Sequence, residues 1–244
     1  MLFRSLRESI RFDPRFSNPR VSLAILLLEQ GKIEEAVTEL QQAIHSDPQN
    51  PWVYYNLGVI YLQQDDANRA LDAFEKVVEL APNAIKPYLG MLTIDEREGR
   101  VDDAVRVSRK ILELDPDHAR PHSLLGSLYL RQGNVALAIQ AFQEAARIEP
   151  GASTFHDLGL AYAQAGNLAL AERNFREALS HDPGFAIGHY QLAIALEHLL
   201  RFREARSHYE AALVLAGSGD GRFAATVQSR LSELSGVKGA KNNQ

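Results

Sequence analysis

The side chains able to do chemistry are few and scattered. The chain holds eight histidines and no cysteine, which removes disulfides, thiolate nucleophiles and Cys-ligated zinc or iron–sulfur sites from consideration. His118 and His122 are four apart, the spacing of a metal-binding pair on a helix, but Pro121 lies between them. No His-Glu-x-x-His motif accompanies them. His181 falls where a helix ends, a place that mildly favours a cation. The acidic pairs Glu34-Glu35, Asp65-Asp66 and Asp102-Asp103 are candidates for acid–base work only if they face one pocket with displaced pKa values. They sit instead where helices are expected to begin, and negative charge there offsets the helix dipole. No glycine-rich phosphate loop and no Ser-His-Asp grouping stands out. The sequence therefore predicts no catalytic residue, no metal site and no cofactor: the chain is not an enzyme.

Composition narrows the alternatives. Hydrophobic residues make up 45% of the 244 and charged residues 23%, the balance of an ordinary foldable chain. The formal net charge is −5 with both signs interspersed, which argues against a nucleic-acid binder and its basic stripe. No apolar run approaches the roughly 18–20 residues that span a bilayer. Met1 to Glu8 contains no continuous apolar segment of signal-peptide length. A cytoplasmic protein without membrane insertion is expected, or a periplasmic or membrane-associated one if the chain is part of a longer exported or anchored protein.

The elements that carry these residues are set by a repeat. Prolines fall at Pro14, Pro48, Pro82, Pro116, Pro150 and Pro183, separated by 34, 34, 34, 34 and 33 residues. Four of them follow aspartate: Asp13, Asp47, Asp115 and Asp182. With each proline counted as position 32, position 20 is Ala36, Ala70, Ala104, Ala138, Ala171 and Ala205. Position 8 is small in Ala24, Gly58, Gly126, Gly159 and Ala193, and position 24 is large in Leu40, Phe74, Phe142, Phe175 and Tyr209. Two short helices approach closely only where one presents a small side chain, and the large residues fill what remains. Gly31, Gly99, Gly133 and Gly166 share position 15, where the chain leaves the first helix and a left-handed conformation is wanted. Each proline ends the second helix, because it has no backbone N–H to donate.

The run Tyr54-x-x-Leu57-Gly58-x-x-Tyr61…Ala70…Phe74…Pro82 resembles the tetratricopeptide-repeat (TPR) signature in full, and the fourth and fifth repeats match nearly as well. The resemblance implies an all-α fold, a right-handed superhelical solenoid of antiparallel helix pairs. Six repeats are placed at 17–50, 51–84, 85–118, 119–151, 152–185 and 186–219. In this family the first helices line a concave groove, which implies a partner-binding face made of Val21, Ile25, Trp52, Tyr55, Val59, Lys86, Thr93, Arg97, Arg120, Ser123, Ser127, Arg131, His156 and Tyr190. That face reads as two apolar patches flanking a basic, hydroxyl-bearing middle, suited to a peptide with apolar anchors and an acidic centre. Trp52 is the only tryptophan, and rigid aromatics and arginine often dominate interfaces. The alternative is that Trp52 and Tyr55 pack against the preceding repeat. The residues that grip terminal carboxylates in chaperone-binding members are matched only by Asn56 and Lys86, so that subclass is not expected.

The third repeat departs from the pattern, with Leu92 at the small position, Asp95 in place of tyrosine and Ser108 in place of a large residue. Asp95 is expected to reach solvent or to pair with Arg106 or Arg109. Residues 1–16 read as the second helix of an incomplete repeat, with Leu2, Phe3, Leu6 and Ile10 partly exposed. Gly217 to Gly221 reads as a flexible joint, 220–235 as a capping helix with a stripe of Phe223, Val227, Leu231 and Leu234, and 236–244 as a disordered tail. The function that follows is a scaffold or adaptor holding a protein or peptide in its groove. The alternatives are a recognition or assembly region of a larger enzyme or membrane-associated complex, and a homo-oligomer formed through the N-terminal helix.

Overall fold

A computed structural model describes residues 2–13, 15–217 and 221–241, with side chains over 3–13, 15–217 and 221–234. The described residues form fourteen α-helices in two compact units, divided after Pro116. The first unit contains α1 (Leu2–Phe12), α2 (Ser17–Glu29), α3 (Ile33–Ser46), α4 (Pro51–Gln63), α5 (Ala67–Leu80), α6 (Ile85–Glu98) and α7 (Val101–Leu114). The second contains α8 (Ala119–Arg131), α9 (Val135–Ile148), α10 (Ala152–Gln164), α11 (Leu168–His181), α12 (Ala186–His198), α13 (Phe202–Ala216) and α14 (Gly221–Lys241). Within each unit the main packing partners are the two helices of one repeat, such as α4 with α5 and α10 with α11. Connections of two to four residues leave such neighbours no arrangement but antiparallel. No helix among the described residues is long and apolar enough to cross a membrane.

Both kinds of turn follow from residue type. The residue before each inter-repeat proline (Asp47, Ala81, Asp115, Glu149, Asp182) has φ between −131° and −150°. Proline's ring drives its predecessor out of the helical region, so the second helix stops two residues short of the proline. Aspartate suits this position because its side chain closes the turn: Asp47 Oδ1 accepts from Gln49 N at 3.2 Å, and Asp182 Oδ1 from Gly184 N at 2.9 Å. Position 4 of the next helix completes the joint. Tyr54 and Tyr88 donate their hydroxyls to the carbonyls of Pro48 and Pro82, and His189 Nε2 lies 3.2 Å from that of Pro183. Inside a repeat, position 15 is left-handed in all six, including the non-glycine residues Asp65 (φ 60°) and Leu200 (φ 61°).

The interior is built on size complementarity between positions 8 and 24. A Cβ added to Gly58 would lie 2.6 Å from the Phe74 ring; the same holds for Gly126 against Phe142 at 2.7 Å and Gly159 against Phe175 at 2.6 Å. Phe74 is enclosed from a second side by Gly90 of α6, whose Cβ would come within 2.5 Å. In the third repeat the sizes are exchanged: Leu92 is fully buried at position 8 and Ser108 fully buried at position 24. The leucine takes up volume that an aromatic ring fills elsewhere. The exchange leaves the Ser108 hydroxyl without a hydrogen-bond partner.

Two expectations are revised. Asp95 does not reach solvent and does not pair with either arginine; it is 3% exposed. Arg106 is engaged by Asp103 at 2.7 Å instead. Burial, reinforced by nearby Asp103, pushes the Asp95 carboxyl above the ordinary aspartate range against the pull of Arg100 and Arg106. As expected, Phe3, Leu6 and Ile10 of α1 are only half-buried; they pack against the first core cluster, which contains Leu23 and Leu27. The C-terminal helix continues to Lys241 rather than ending at 235. Val227 and Leu234 are its buried residues among the described side chains, and no proline follows to break the helix. Pro14, the joint residues 218–220 and 242–244 lie outside the described residues.

Candidate functional site

The most distinctive surface feature of the first unit is built at the start of α4. Asn50 caps this helix, its Oδ1 accepting from Trp52 N at 3.0 Å, and Pro51 occupies the first helical position. Asn50 is itself 7% exposed. Its Nδ2 donates to Ser17 Oγ at 2.8 Å and Asn18 Oδ1 at 3.0 Å, while Ser17 Oγ donates to Asp47 Oδ2 at 3.2 Å. The first turn of α4 is therefore tied to α2 by a satisfied buried network, and the Trp52 backbone has little freedom.

From that anchor the indole projects with 54% of its surface exposed. Its ring meets Tyr55 edge-on at 6.2 Å between centroids, and Tyr55 in turn meets Phe74 at 6.0 Å. A line of rings thus runs from solvent to the phenylalanine held between Gly58 and Gly90. Trp52 and Tyr55 form one wall of a cavity of about 360 Å³, closed by Val77 of α5, by Ala81 in the following turn and by Ile85 and Pro87 of α6. Lys86 stands at its rim, with its Nζ 5.6 Å from the indole centroid. No carboxylate pairs with Lys86 among the described residues. The cavity can hold one large apolar side chain, with a cation placed for an adjoining negative charge.

The remaining expected groove residues are placed unevenly. In the first unit Ile25 is exposed at 41%, whereas Val21 is 7% exposed and belongs to the first core cluster. Val59 and Thr93 are half-buried and Arg97 is exposed; Arg97 lies 4.0 Å from the Asp65 carboxylate. In the second unit Arg120 and Arg131 are exposed, and Ser123 and Ser127 half-buried. His156 is only 8% exposed. Its ring is covered by Phe175 at 5.9 Å and by Phe185 at 5.3 Å; Phe185 lies in the following turn, pressed against Gly188. Tyr190 is engaged by Tyr209 and by Phe223 of α14, so the C-terminal helix covers it. Val21 and His156 are thus buried rather than open, and Tyr190 is half-buried beside α14. Among the described residues no three His, Asp or Glu side chains gather in a way that could hold a metal ion.

Wider grooves elsewhere are lined by charged side chains of both signs. One along α5 and α7 is lined by Glu75, Glu79, Arg106, Arg109 and Lys110. Of these, Lys110 pairs with Glu113 at 2.9 Å and Arg106 with Asp103. The Trp52 cavity differs in having apolar walls.

Comparison with known families agrees with the repeat geometry. Profiles described as "TPR repeat" and "Tetratricopeptide repeat" match residues 24–65, 51–84, 94–153 and 156–220. The chain belongs to the tetratricopeptide-repeat family. Solved TPR structures resemble it over most of its length. The MamA protein is 25% identical, covering 68% of this chain and 91% of MamA with a TM-score of 0.62. A MamA fragment from Desulfovibrio magneticus RS-1 is 23% identical over 70% of this chain and 97% of the fragment, with a TM-score of 0.63. YrrB, described as a TPR protein with an unusual peptide-binding site, is 19% identical over 78% of this chain and 97% of its own, with a TM-score of 0.66. No curated protein matches the chain. In this TPR protein the sequence register located Trp52, Tyr55 and Lys86 but not the cavity walls Val77, Ala81, Ile85 and Pro87. Those residues come from α5, α6 and the turn between them.

Proposed function

We propose that this TPR protein is a non-catalytic interaction scaffold that holds a partner protein by an apolar side chain seated in the Trp52 cavity. The observation that carries this reading is a half-exposed tryptophan whose backbone is pinned by Asn50, beside apolar walls and an unmatched lysine. Exposing a rigid indole is unfavourable unless something covers it, and rigid aromatic anchors in preformed pockets contribute most of the affinity at many interfaces. Lys86 selects among apolar ligands by favouring one that carries a carboxylate next to its anchor.

Affinity capture with the intact protein and with its Trp52→Ala variant, followed by identification and titration of the bound proteins, tests the proposal. A partner whose affinity falls at least about tenfold in the variant, about 1.4 kcal/mol, is the expected result. Partners bound equally well by both forms would remove the cavity from consideration.

A further inference from the structure

From the residues that the fold leaves uncovered, we infer that the Trp52 cavity receives the Phe12–Asp13 corner of a second copy of this chain. The inference rests on the cavity being a protein-docking site, as proposed above, and it names the occupant. Phe12 is 94% exposed, more than any other large apolar side chain described. The inward stripe of α1 is Phe3, Leu6 and Ile10, so Phe12 has no place in its own core. The residue after it is an aspartate whose side chain is 53% exposed. An aromatic ring followed directly by a carboxylate is the pairing that the cavity and Lys86 together accept.

The corner is also pre-shaped. Asp13 N donates to Ser9 O at 3.0 Å, Arg15 N to Asp13 Oδ1 at 3.0 Å and Phe16 N to Asp13 O at 3.2 Å. A segment already fixed with its ring outward loses little conformational freedom on docking. A cavity of about 360 Å³ is small for a ligand site and suits one anchoring side chain rather than a long peptide. The corner of one copy enters the cavity of another, so each copy offers one donor and one acceptor surface. Reciprocal exchange closes a two-fold dimer, and one-way docking builds rings or open chains.

Trp52 is the only tryptophan in the chain, so its emission reports on the cavity alone. A Phe12→Ala copy keeps the reporter and lacks the corner; a Trp52→Ala copy is dark and keeps the corner. Titrating the dark copy into the reporter copy should shift the emission to shorter wavelength and saturate, whereas a dark copy also carrying Phe12→Ala should leave it unchanged. In sedimentation velocity across a concentration series, the weight-average mass of the unaltered chain should at least double. Each single variant should stay monomeric, and their equimolar mixture should form a one-to-one pair. Lys86→Asp serves as a second cavity-deficient copy in the mass measurement should the Trp52 variant fail to fold. A monomeric unaltered chain with no emission shift would overturn the inference. If Trp52-dependent capture of some other protein persists in that case, the cavity remains a docking site and only the self-recognition falls. If capture also fails to depend on Trp52, both readings fall.

Discussion

Two titratable side chains give the two units opposite responses to pH. Asp95 in α6 is buried with its carboxyl pushed up by desolvation and by Asp103. In the unfolded chain it ionises near about pH 3.9, so above that pH the folded state holds the proton longer than the unfolded state does. Stability then falls as pH rises through the folded value. Asp95→Asn removes that loss: its thermal midpoint should exceed the parent's at neutral pH, and the slope between about pH 4 and 7 should flatten. Identical slopes in melts of the two proteins would show that the carboxyl finds relief that its surroundings do not suggest. His208 in α13 has the reverse sign. Its Nδ1 lies 2.9 Å from His189 Nδ1, a contact in which one ring must accept. Burial foremost, then His189 and Arg176, hold its pKa below the ordinary 6.5, while Glu204 and Glu172 pull the other way. The unfolded state therefore takes up the proton first, and stability falls as pH drops below 6.5. His208→Gln, followed by urea unfolding at neutral and mildly acidic pH, should show a smaller decline than the parent.

Helix pairs depend on how well each turn and each crossing suits its residues. Leu200 holds a left-handed conformation where four of the six repeats use glycine, and an L-residue there costs roughly 1–2 kcal/mol. Part of the gain from Leu200→Gly is lost to the freer unfolded chain. The net expectation is stabilisation of up to about 1 kcal/mol in denaturant titrations. The opposite change, Gly166→Leu, should be destabilising. The third repeat tests the size rule directly. Ser108→Phe alone overpacks a site already filled by Leu92 and should cost about 1–3 kcal/mol. Combined with Leu92→Gly it restores the arrangement of Gly58 and Phe74, and the double-mutant cycle should show favourable coupling. Position 15 was legible because most repeats place glycine there, and the register carries the conformation to Asp65 and Leu200 whose side chains conceal it. The small and large positions were legible for the same reason, since a periodic contact imprints a periodic size. Asp95 was misread because a single carboxylate has no period; whether it meets water or a pocket depends on neighbours such as Leu92 and Asp103. The burial of His156 was hidden likewise, since it depends on Phe185 folding back from a turn.

At the scale of the whole chain, a repeat array is stable only where each pair has a neighbour to complete its core, and its ends need covering. In the second unit α14 does this for α13. Val227 is fully buried and Leu234 nearly so, in the same cluster as Tyr209, Ala212 and Leu196, with Phe223 and Leu231 packed against it. Tyr209 sits at the centre of that cluster and donates its hydroxyl to Glu197 at 2.9 Å, so exposing it would break both packing and a hydrogen bond. Val227→Asp places a charge at the tightest point of this contact, where an unpaired buried carboxylate is strongly unfavourable. The consequence should be graded along the array, because each repeat contacts only its neighbours. Amide hydrogen exchange in the variant should accelerate most in α14 and α13, less in α12, and least in α8 and α9 of the same unit. A uniform acceleration across α8 to α13 would mean that the unit opens as one cooperative block and that α14 supports all of it rather than its last repeat.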